Sequence, residues 1–196
     1  MTNRFLPISM SLHDRKILVV GGGAVALRKI ETLLDYESTI TVIAPEVVDK
    51  VDYYATKKAV TLIKREYERG EAANYGLVIS ASDSEPVNRQ VYEDAKSAKV
   101  PVNVVDNPAL CDVIFPAVVK RDCLTVAISS DGRAPFLSSN LKAILENLFP
   151  EHWSKLAALA SRYRDRVQEY YKGRPDQKMA AYERFVSAEW TAIIKE

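Results

Sequence analysis

The sequence predicts an α/β protein in which a Rossmann-type parallel sheet is followed by a small β-containing segment and a C-terminal helical domain. Three observations favour this class. Residues 21–23 are consecutive glycines that lie between an apolar segment and a helical pattern. Short apolar, β-branched segments then alternate with helical patterns up to about residue 105, which favours a parallel sheet with right-handed crossovers. After Pro135 the periodicity is helical.

The first half supplies the strands of the predicted sheet. Buried parallel strands are recognised by apolar, β-branched segments, and such segments lie at 16–20, 39–44, 77–81 and 102–105, with a further candidate for the third strand at 61–67. Apolar residues at helical spacing predict helices at 24–34 and 47–58. A third helix is expected to begin at Pro86, which suits a first helical position, and to end near Ala98. Residues 1–113 are therefore expected to form one dinucleotide-binding domain.

The second half has a different pattern. Segments 117–120 and 124–129 predict a hairpin joined at Arg121-Asp122, and residues 130–132 predict a turn. We expect residues 114–149 to form a dimerisation and substrate-cleft segment and residues 150–196 a helical domain, interrupted at 173–175. Apolar and aromatic residues recur there at helical spacing, among them Val167, Met179, Val186 and Ile193. The aromatic residues are expected to serve core and dimer packing: Trp153, Tyr163, Tyr170, Tyr182 and Trp190.

Composition excludes several classes of protein. The 196 residues are 47% hydrophobic and carry a formal net charge of +1, so bulk charge favours neither a nucleic-acid nor a membrane partner. No apolar run approaches the roughly 20 residues that span a bilayer. The two cysteines, Cys111 and Cys123, form no C-x-x-C pair, which fits the reducing cytoplasm, and both are expected to be small buried hydrophobes. His13 and His152 form no ligand pattern, so no metal site is expected.

The glycine turn is the first candidate site. Residues 21–26 read GGGAVA, which fits G-x-G-x-x-A: Gly21 permits the tight turn, Gly23 lets the backbone approach a pyrophosphate, and Ala26 lets the helix pack against the strand. The helix N-terminus supplies amide donors for the phosphates. The predicted nucleotide-binding residues are those of the turn and of the end of the second strand: Gly21, Gly22, Gly23, Ala24, Val25, Pro45 and Glu46.

The glycine pattern is compatible with more than one ligand. The same pattern occurs in tight turns without a ligand and in proteins that bind FAD or S-adenosylmethionine. Nothing in the sequence suggests a second domain large enough for a flavin. Glu46 is the only acid near the position of the usual ribose-binding carboxylate, and no arginine directly follows the second strand, which favours NAD over NADP.

Several motifs together resemble the precorrin-2 dehydrogenase/sirohydrochlorin ferrochelatase family, the siroheme-synthase N-terminal module. They are GGGAVALRK at 21–29, TVIAP at 41–45, VN at 87–88, NVVDNPALC at 103–111, FPAVVKRDCLTVAISSDGRAP at 115–135 and LK at 141–142. The resemblance covers about residues 5–150. It implies oxidation of precorrin-2 to sirohydrochlorin with NAD as hydride acceptor, in siroheme biosynthesis, by an intertwined homodimer; some members also insert iron.

The resemblance also implies site residues. The aspartate of NVVD is implicated in the chemistry of the family and corresponds to Asp106, whose position after the fifth strand suits a proton acceptor; the other interpretation is a carboxylate that caps an Asp-Asn-Pro turn. Ser130 corresponds to a serine of the tetrapyrrole cleft. Ser129, Ser130 and Arg133 are candidate ligands of substrate carboxylates. An ordinary turn explains the two serines equally well, and for Arg133 taken singly a solvated surface charge is the more common role. For Arg121, a solvated surface charge is the expected role.

Two further functions are compatible with the sequence. One is a bifunctional enzyme with both dehydrogenase and ferrochelatase activity, in which Asp106 would be shared. The other is a non-catalytic module that senses NAD or binds a tetrapyrrole.

Overall fold

The computed structural model describes residues 4–36 and 38–190, which form two compact units, one before and one after the boundary between residues 114 and 115. The elements of the first unit are β1 (Lys16–Val20), α1 (Ala24–Leu34), β2 (Thr39–Ile43), α2 (Asp49–Thr56), β3 (Thr61–Ile63), a 3₁₀ helix (Glu71–Asn74), β4 (Leu77–Ser80), α3 (Glu85–Ser97), β5 (Val102–Val104) and a second 3₁₀ helix (Pro108–Leu110).

The five strands form one parallel sheet in the order β3-β2-β1-β4-β5. This is the predicted Rossmann-type sheet. Strands β1 and β4 are buried along nearly their whole length, with Leu18, Val19, Val78 and Ile79 fully buried, as expected of parallel strands covered on both faces. The apolar stripe of α1, which includes Ala26, Ile30 and Leu33, is also fully buried. Burial of this kind stabilises the unit by about 25 cal/mol per Å² of apolar surface.

The third strand is shorter than the predicted segment 61–67. It ends at Ile63 because Tyr67 is buried and its hydroxyl donates a hydrogen bond to Asp94 of α3 at 2.9 Å. The same hydroxyl accepts a hydrogen bond from the amide of Ala72 at 3.1 Å, which braces the 3₁₀ helix that the sequence did not predict. The strand therefore covers only the apolar start of the predicted segment, and the charged residues Lys64, Arg65 and Glu66 lie beyond its end.

The second unit contains β6 (Ala117–Arg121), β7 (Leu124–Ile128), α4 (Pro135–Leu148), α5 (Trp153–Tyr170) and α6 (Pro175–Val186). The predicted hairpin is present, but Arg121 pairs with Leu124 in the antiparallel register. The two-residue loop is therefore Asp122-Cys123, with Asp122 at a φ of 54°, and not Arg121-Asp122. Residues 149–152 separate α4 from α5.

Two side chains of this unit differ from the sequence-based prediction. Arg121 is not a solvated charge: it is 8% exposed and donates to the carbonyls of Phe149 at 2.6 Å and Lys120 at 2.8 Å. It thereby caps the C-terminal end of α4. Cys123 is exposed, whereas Cys111 is buried as predicted. Tyr170, Met179 and Val186 are exposed in the single chain and so lie outside its core; dimer packing by this helical region stays a prediction, and Ile193 lies outside the described residues.

Candidate nucleotide-binding and active site

The five strands end in one row at the carboxyl edge of the sheet. Val20 is aligned with Ile43 of β2 and with Ser80 of β4, and Ser80 in turn with Val104 of β5. The strand order reverses between β1 and β4, because the chain runs outward to β3 and then returns to β4. Ligands of open α/β sheets bind at the carboxyl edge beside such a switch point. Residues that directly follow β1, β2, β4 and β5 are therefore the candidates for a site.

The three glycines of the turn that follows β1 differ in the space around them. Gly21 has a φ of 117°, and a Cβ there would lie 2.3 Å from the carbonyl oxygen of Ala81; a Cβ on Gly22 would lie 2.2 Å from that of Glu46. These two glycines are required by the packing of the protein itself. Gly23 is different, since a Cβ there would have no atom within 4 Å among the described residues. Its open side is where a ligand can approach the backbone.

The start of α1 suits a phosphate group. Gly23 is the N-cap, with extended backbone angles, and among the described residues no side chain caps the helix. The first turn of α1, all of which the structure describes, contains no acidic residue. The first amide groups of a helix lack intrahelical partners and carry a partial positive charge. The turn can therefore donate hydrogen bonds to an anion without competition from a carboxylate.

A cavity of about 500 Å³ lies against this turn. Three segments line it: residues 21–23, 44–48 and 81–84. Of the predicted nucleotide-binding residues, the three glycines, Pro45 and Glu46 therefore line one cavity. Ala24 and Val25, at the start of α1, are not among its lining residues. The volume and the three-segment wall suit part of a dinucleotide, whose pyrophosphate fits the glycine turn.

Asn88 forms hydrogen bonds at the third lining segment of this cavity, residues 81–84, a role that the sequence did not predict. Its side-chain oxygen accepts hydrogen bonds from the Ser80 hydroxyl at 2.6 Å and the Ser82 amide at 3.3 Å, and its side-chain nitrogen donates to the Ser82 carbonyl at 2.8 Å. Asn88 thus fixes the path of residues 81–84 after β4. The sequence contains one indication of this role, a serine at the end of the apolar fourth strand. Ser80 is fully buried, and a buried hydroxyl requires a hydrogen-bond partner.

Cations near the end of β2 are already paired. Lys64 directly follows β3, whose last residue, Ile63, accepts a backbone hydrogen bond from Ala44. The Lys64 ammonium lies 2.8 and 3.0 Å from the two carboxylate oxygens of Asp52. Arg65 forms a two-pronged ion pair with Glu71 at 2.6 and 3.0 Å, and this pairing raises the pKa of Arg65 and lowers that of Glu71.

Asp106 lies two residues beyond the end of β5. It is exposed and has a φ of 59°, which is the left-handed region that aspartate tolerates better than most residues. Its carboxylate is close enough to Lys29 of α1 to affect that side chain: burial and the neighbouring Arg28 lower the pKa of Lys29, and the Asp106 charge opposes them. With strands about 4.8 Å apart, β5 lies roughly 10 Å from β1 along the same edge of the sheet.

The second group of predicted site residues belongs to the other unit. The Ser129 hydroxyl accepts a hydrogen bond from the Asp131 amide at 3.2 Å, and the Ser130 hydroxyl accepts one from the Ala134 amide at 3.1 Å. Arg133 lies 3.9 Å from the Asp131 carboxylate. Both serines thus make the local contacts of a turn that leads into α4. Their role as substrate ligands remains a prediction.

Within the described residues, no cluster of three or more histidine, cysteine or acidic side chains could hold a metal ion, and no helix is both long and apolar enough to cross a bilayer.

The fold and the cavity define an α/β dinucleotide-binding protein. Residues 8–117, more than half of the chain, match the family model described as "Putative NAD(P)-binding", and the chain belongs to this family. The siroheme synthase of Pseudomonas paraeruginosa is 46% identical over 165 residues, which are 84% of this chain and 36% of that protein; that of Psychrobacter arcticus is 43% identical over 162 residues, 83% of this chain and 30% of that protein.

The chain therefore spans about a third of the length of these curated relatives. Among solved structures, the precorrin-2 dehydrogenase SirC has the same fold, with a TM-score of 0.78 at 23% identity over 95% of this chain and 91% of the other. These similarities confirm the resemblance to siroheme synthases that the sequence motifs indicated.

Proposed function

We propose that this protein is an NAD-dependent precorrin-2 dehydrogenase, which oxidises precorrin-2 to sirohydrochlorin in siroheme biosynthesis. The observation that carries the proposal is the position of Asp106, on the same edge of the sheet as the glycine turn and two strands away from it. The name of the structural relative, precorrin-2 dehydrogenase, and the names of the sequence relatives, siroheme synthase, support the same reaction.

The chain's own residues fit the cofactor. The amides at the start of α1 would bind the pyrophosphate, the open side of Gly23 would leave room for it, and residues 44–48 would enclose the adenosine. When bound, NAD supplies the hydride acceptor. The oxidation removes one hydride and one proton from the macrocycle, so a base is needed for the proton; the carboxylate of Asp106 takes this role and passes the proton to water. Ser129, Ser130 and Arg133 are proposed ligands of the substrate's carboxylates.

NAD is the preferred form of the cofactor. A 2′-phosphate is normally recognised by a cation at the end of the second strand, and the two cations that follow the neighbouring strand β3, Lys64 and Arg65, are engaged by Asp52 and Glu71. Glu46 lines the same part of the cavity and would repel a phosphate. Hydroxyl groups, in contrast, can donate hydrogen bonds to a carboxylate.

A homodimer is proposed because α4 exposes a continuous apolar stripe. Leu137, Leu141, Ile144 and Leu148 recur at helical spacing and are 40–63% exposed, and the adjacent Phe136 is 77% exposed. Exposed apolar patches of this kind mark interaction surfaces, and a second copy of the same stripe is complementary to it in a two-fold dimer. The free thiols Cys111 and Cys123 support a cytoplasmic location.

Iron insertion is the second candidate function, because the relatives are named siroheme synthases. The same carboxylate would then accept the protons that leave the macrocycle when ferrous iron enters it.

One experiment tests both candidates. Purified protein is incubated anaerobically with precorrin-2 and NAD, NADH is followed by absorbance, and ferrous iron is then added. NADH formation by the wild type but not by Asp106→Asn is expected. Loss of sirohydrochlorin after iron addition, above the no-enzyme rate, would add the chelatase activity. NADH binding without turnover would overturn the dehydrogenase and favour a nucleotide-sensing module.

A further inference from the structure

The loop that carries Asp106 is short and tightly turned. It leaves β5 at Val104, places Asp106 at a positive φ, and returns through the 3₁₀ helix Pro108–Leu110 to Cys111. Its backbone closes on itself, since the Asn107 amide donates to the Val104 carbonyl at 3.2 Å and the Leu110 amide donates to the Asn107 carbonyl at 3.0 Å. A non-glycine residue at positive φ persists where surrounding contacts hold it there. Two side chains supply such contacts.

Arg4 donates hydrogen bonds to the solvent-exposed side of the loop. One guanidinium nitrogen donates to the Pro108 carbonyl at 3.1 Å, and the other donates to those of Ala109 and Cys111, both at 3.3 Å. Arg4 comes from the segment before β1, more than 100 positions away in sequence. A planar, always charged group with several donors suits several adjacent carbonyls, which the single ammonium of lysine cannot match in the same geometry.

The thiol of Cys111 forms hydrogen bonds with the buried side of the loop. Sγ accepts a hydrogen bond from the Val104 amide at 3.3 Å, and its hydrogen is within reach of the carbonyls of Val104 at 3.2 Å and Asn107 at 3.3 Å. The side chain is 4% exposed, and burial raises the pKa of the thiol, which keeps it a neutral donor. The thiol thereby links the end of β5 to the residue that follows Asp106.

We propose that Arg4 and Cys111 are positioning residues, which clamp the loop 105–111 from its two sides and so fix the direction of the Asp106 carboxylate. This inference rests on the proposed function, in which Asp106 is the base. Neither side chain lines the cavity at the glycine turn. Loosening the clamp therefore lowers the rate of proton removal without changing the affinity for NAD.

The clamp is tested first without substrate. In a Cys123→Ser background, which removes the exposed thiol, the only cysteine is Cys111, and its reaction with a soluble disulfide reagent reports opening of the loop. Arg4→Ala is expected to increase this rate by about tenfold or more, because three hydrogen bonds that oppose local opening are lost. Arg69→Ala is the matched control: Arg69 is an exposed arginine of the same unit whose ion-pair distances are 3.9 Å. An Arg4→Ala rate equal to that of the control overturns the clamp.

Turnover tests the consequence for Asp106. Arg4→Ala is expected to lower kcat for precorrin-2 by about tenfold, with Kd for NADH unchanged, Arg4→Lys to be intermediate, and Arg69→Ala to match the wild type. Cys111→Ala should lower kcat, and Cys111→Ser should restore most of it, because the hydroxyl keeps both hydrogen-bonding roles. Unchanged kcat in Arg4→Ala, or equal losses in kcat and NADH affinity, overturns the positioning role. If the wild type does not oxidise precorrin-2, the proposed function fails, while the thiol measurement still decides whether Arg4 holds the loop.

Discussion

Replacement of Gly23 by aspartate is expected to stabilise the free protein and to abolish nucleotide binding. Gly23 is the N-cap of α1, with a φ of −80°, which any residue adopts, and an added Cβ would meet no atom of the described residues within 4 Å. The fold therefore accepts a side chain at this position. The same open side is where the pyrophosphate is expected to lie, so the new carboxylate occupies the phosphate site.

The gain in stability has two sources. Replacing glycine reduces the conformational entropy of the unfolded chain, which contributes about 0.4–1 kcal/mol where the native backbone is unstrained. Aspartate is also a better N-cap than glycine by a few tenths of a kcal/mol, and its charge suits the positive end of the helix. A total near 1 kcal/mol raises Tm by about 2–4 °C in a protein of this size.

The loss of binding is electrostatic. Two like charges about 4 Å apart repel by about 4 kcal/mol at the effective dielectric constant of a protein surface, and the pyrophosphate carries more than one charge. Each tenfold loss of affinity corresponds to about 1.4 kcal/mol. Even after screening by solvent, we expect the affinity for NADH to fall by at least about 100-fold.

Calorimetric titration with NADH and thermal unfolding of the free protein measure the two effects on the same sample. Gly23→Asn has nearly the same shape without the charge, so it should bind more tightly than Gly23→Asp and reveal the steric part. Gly22→Ala is the contrasting variant, because its Cβ would lie 2.2 Å from the Glu46 carbonyl oxygen; it should unfold at lower temperature. Normal NADH binding by Gly23→Asp would refute the assignment of the phosphate to this turn.

Four further predictions address the rest of the site. Asp106→Asn should keep the loop, because asparagine also tolerates positive φ, and should lower precorrin-2 turnover by at least about 100-fold, since it removes the base; turnover near the wild-type rate would remove Asp106 from the chemistry. Asn88→Ala loses one hydrogen bond to Ser80 and the two to Ser82 that fix the path of residues 81–84, so Kd for NADH should rise by about tenfold; an unchanged Kd in a titration would show that this segment does not contact the nucleotide. Asp52→Asn releases the Lys64 ammonium, so affinity for NADPH relative to NADH should improve by about threefold at low ionic strength and the gain should vanish at high salt; no change would argue that Lys64 does not reach the 2′-phosphate. Ile144→Glu introduces a charge at the centre of the exposed stripe of α4 and should convert a dimer to a monomer by light scattering; a wild-type molecular mass for this variant would place the dimer interface elsewhere.

The glycine turn shows how much of the structure a local sequence pattern can predict. The motif predicted a strand, a turn and a helix, and their bounds Lys16–Val20 and Ala24–Leu34 agree with the structure because these are properties of contiguous residues. The pattern did not distinguish the purposes of the three glycines. Two of them are required by carbonyl groups of Ala81 and Glu46, which lie far along the chain, and only the folded structure shows that Gly23 alone faces open space.

The sequence by itself determined the order of strands and helices along the chain, the position of Asp106 directly after the fifth strand and the family resemblance, because each depends on residues that are neighbours in the chain. The tertiary structure alone decided which charges are paired, where the third strand ends and what holds the Asp106 loop. Arg4 reaches Pro108, Asn88 reaches Ser80, and Arg121 reaches Phe149; none of these partners is marked by spacing or periodicity. Hydrogen bonds between distant segments depend on the three-dimensional packing of the chain, and packing is a property of the whole fold rather than of any local pattern.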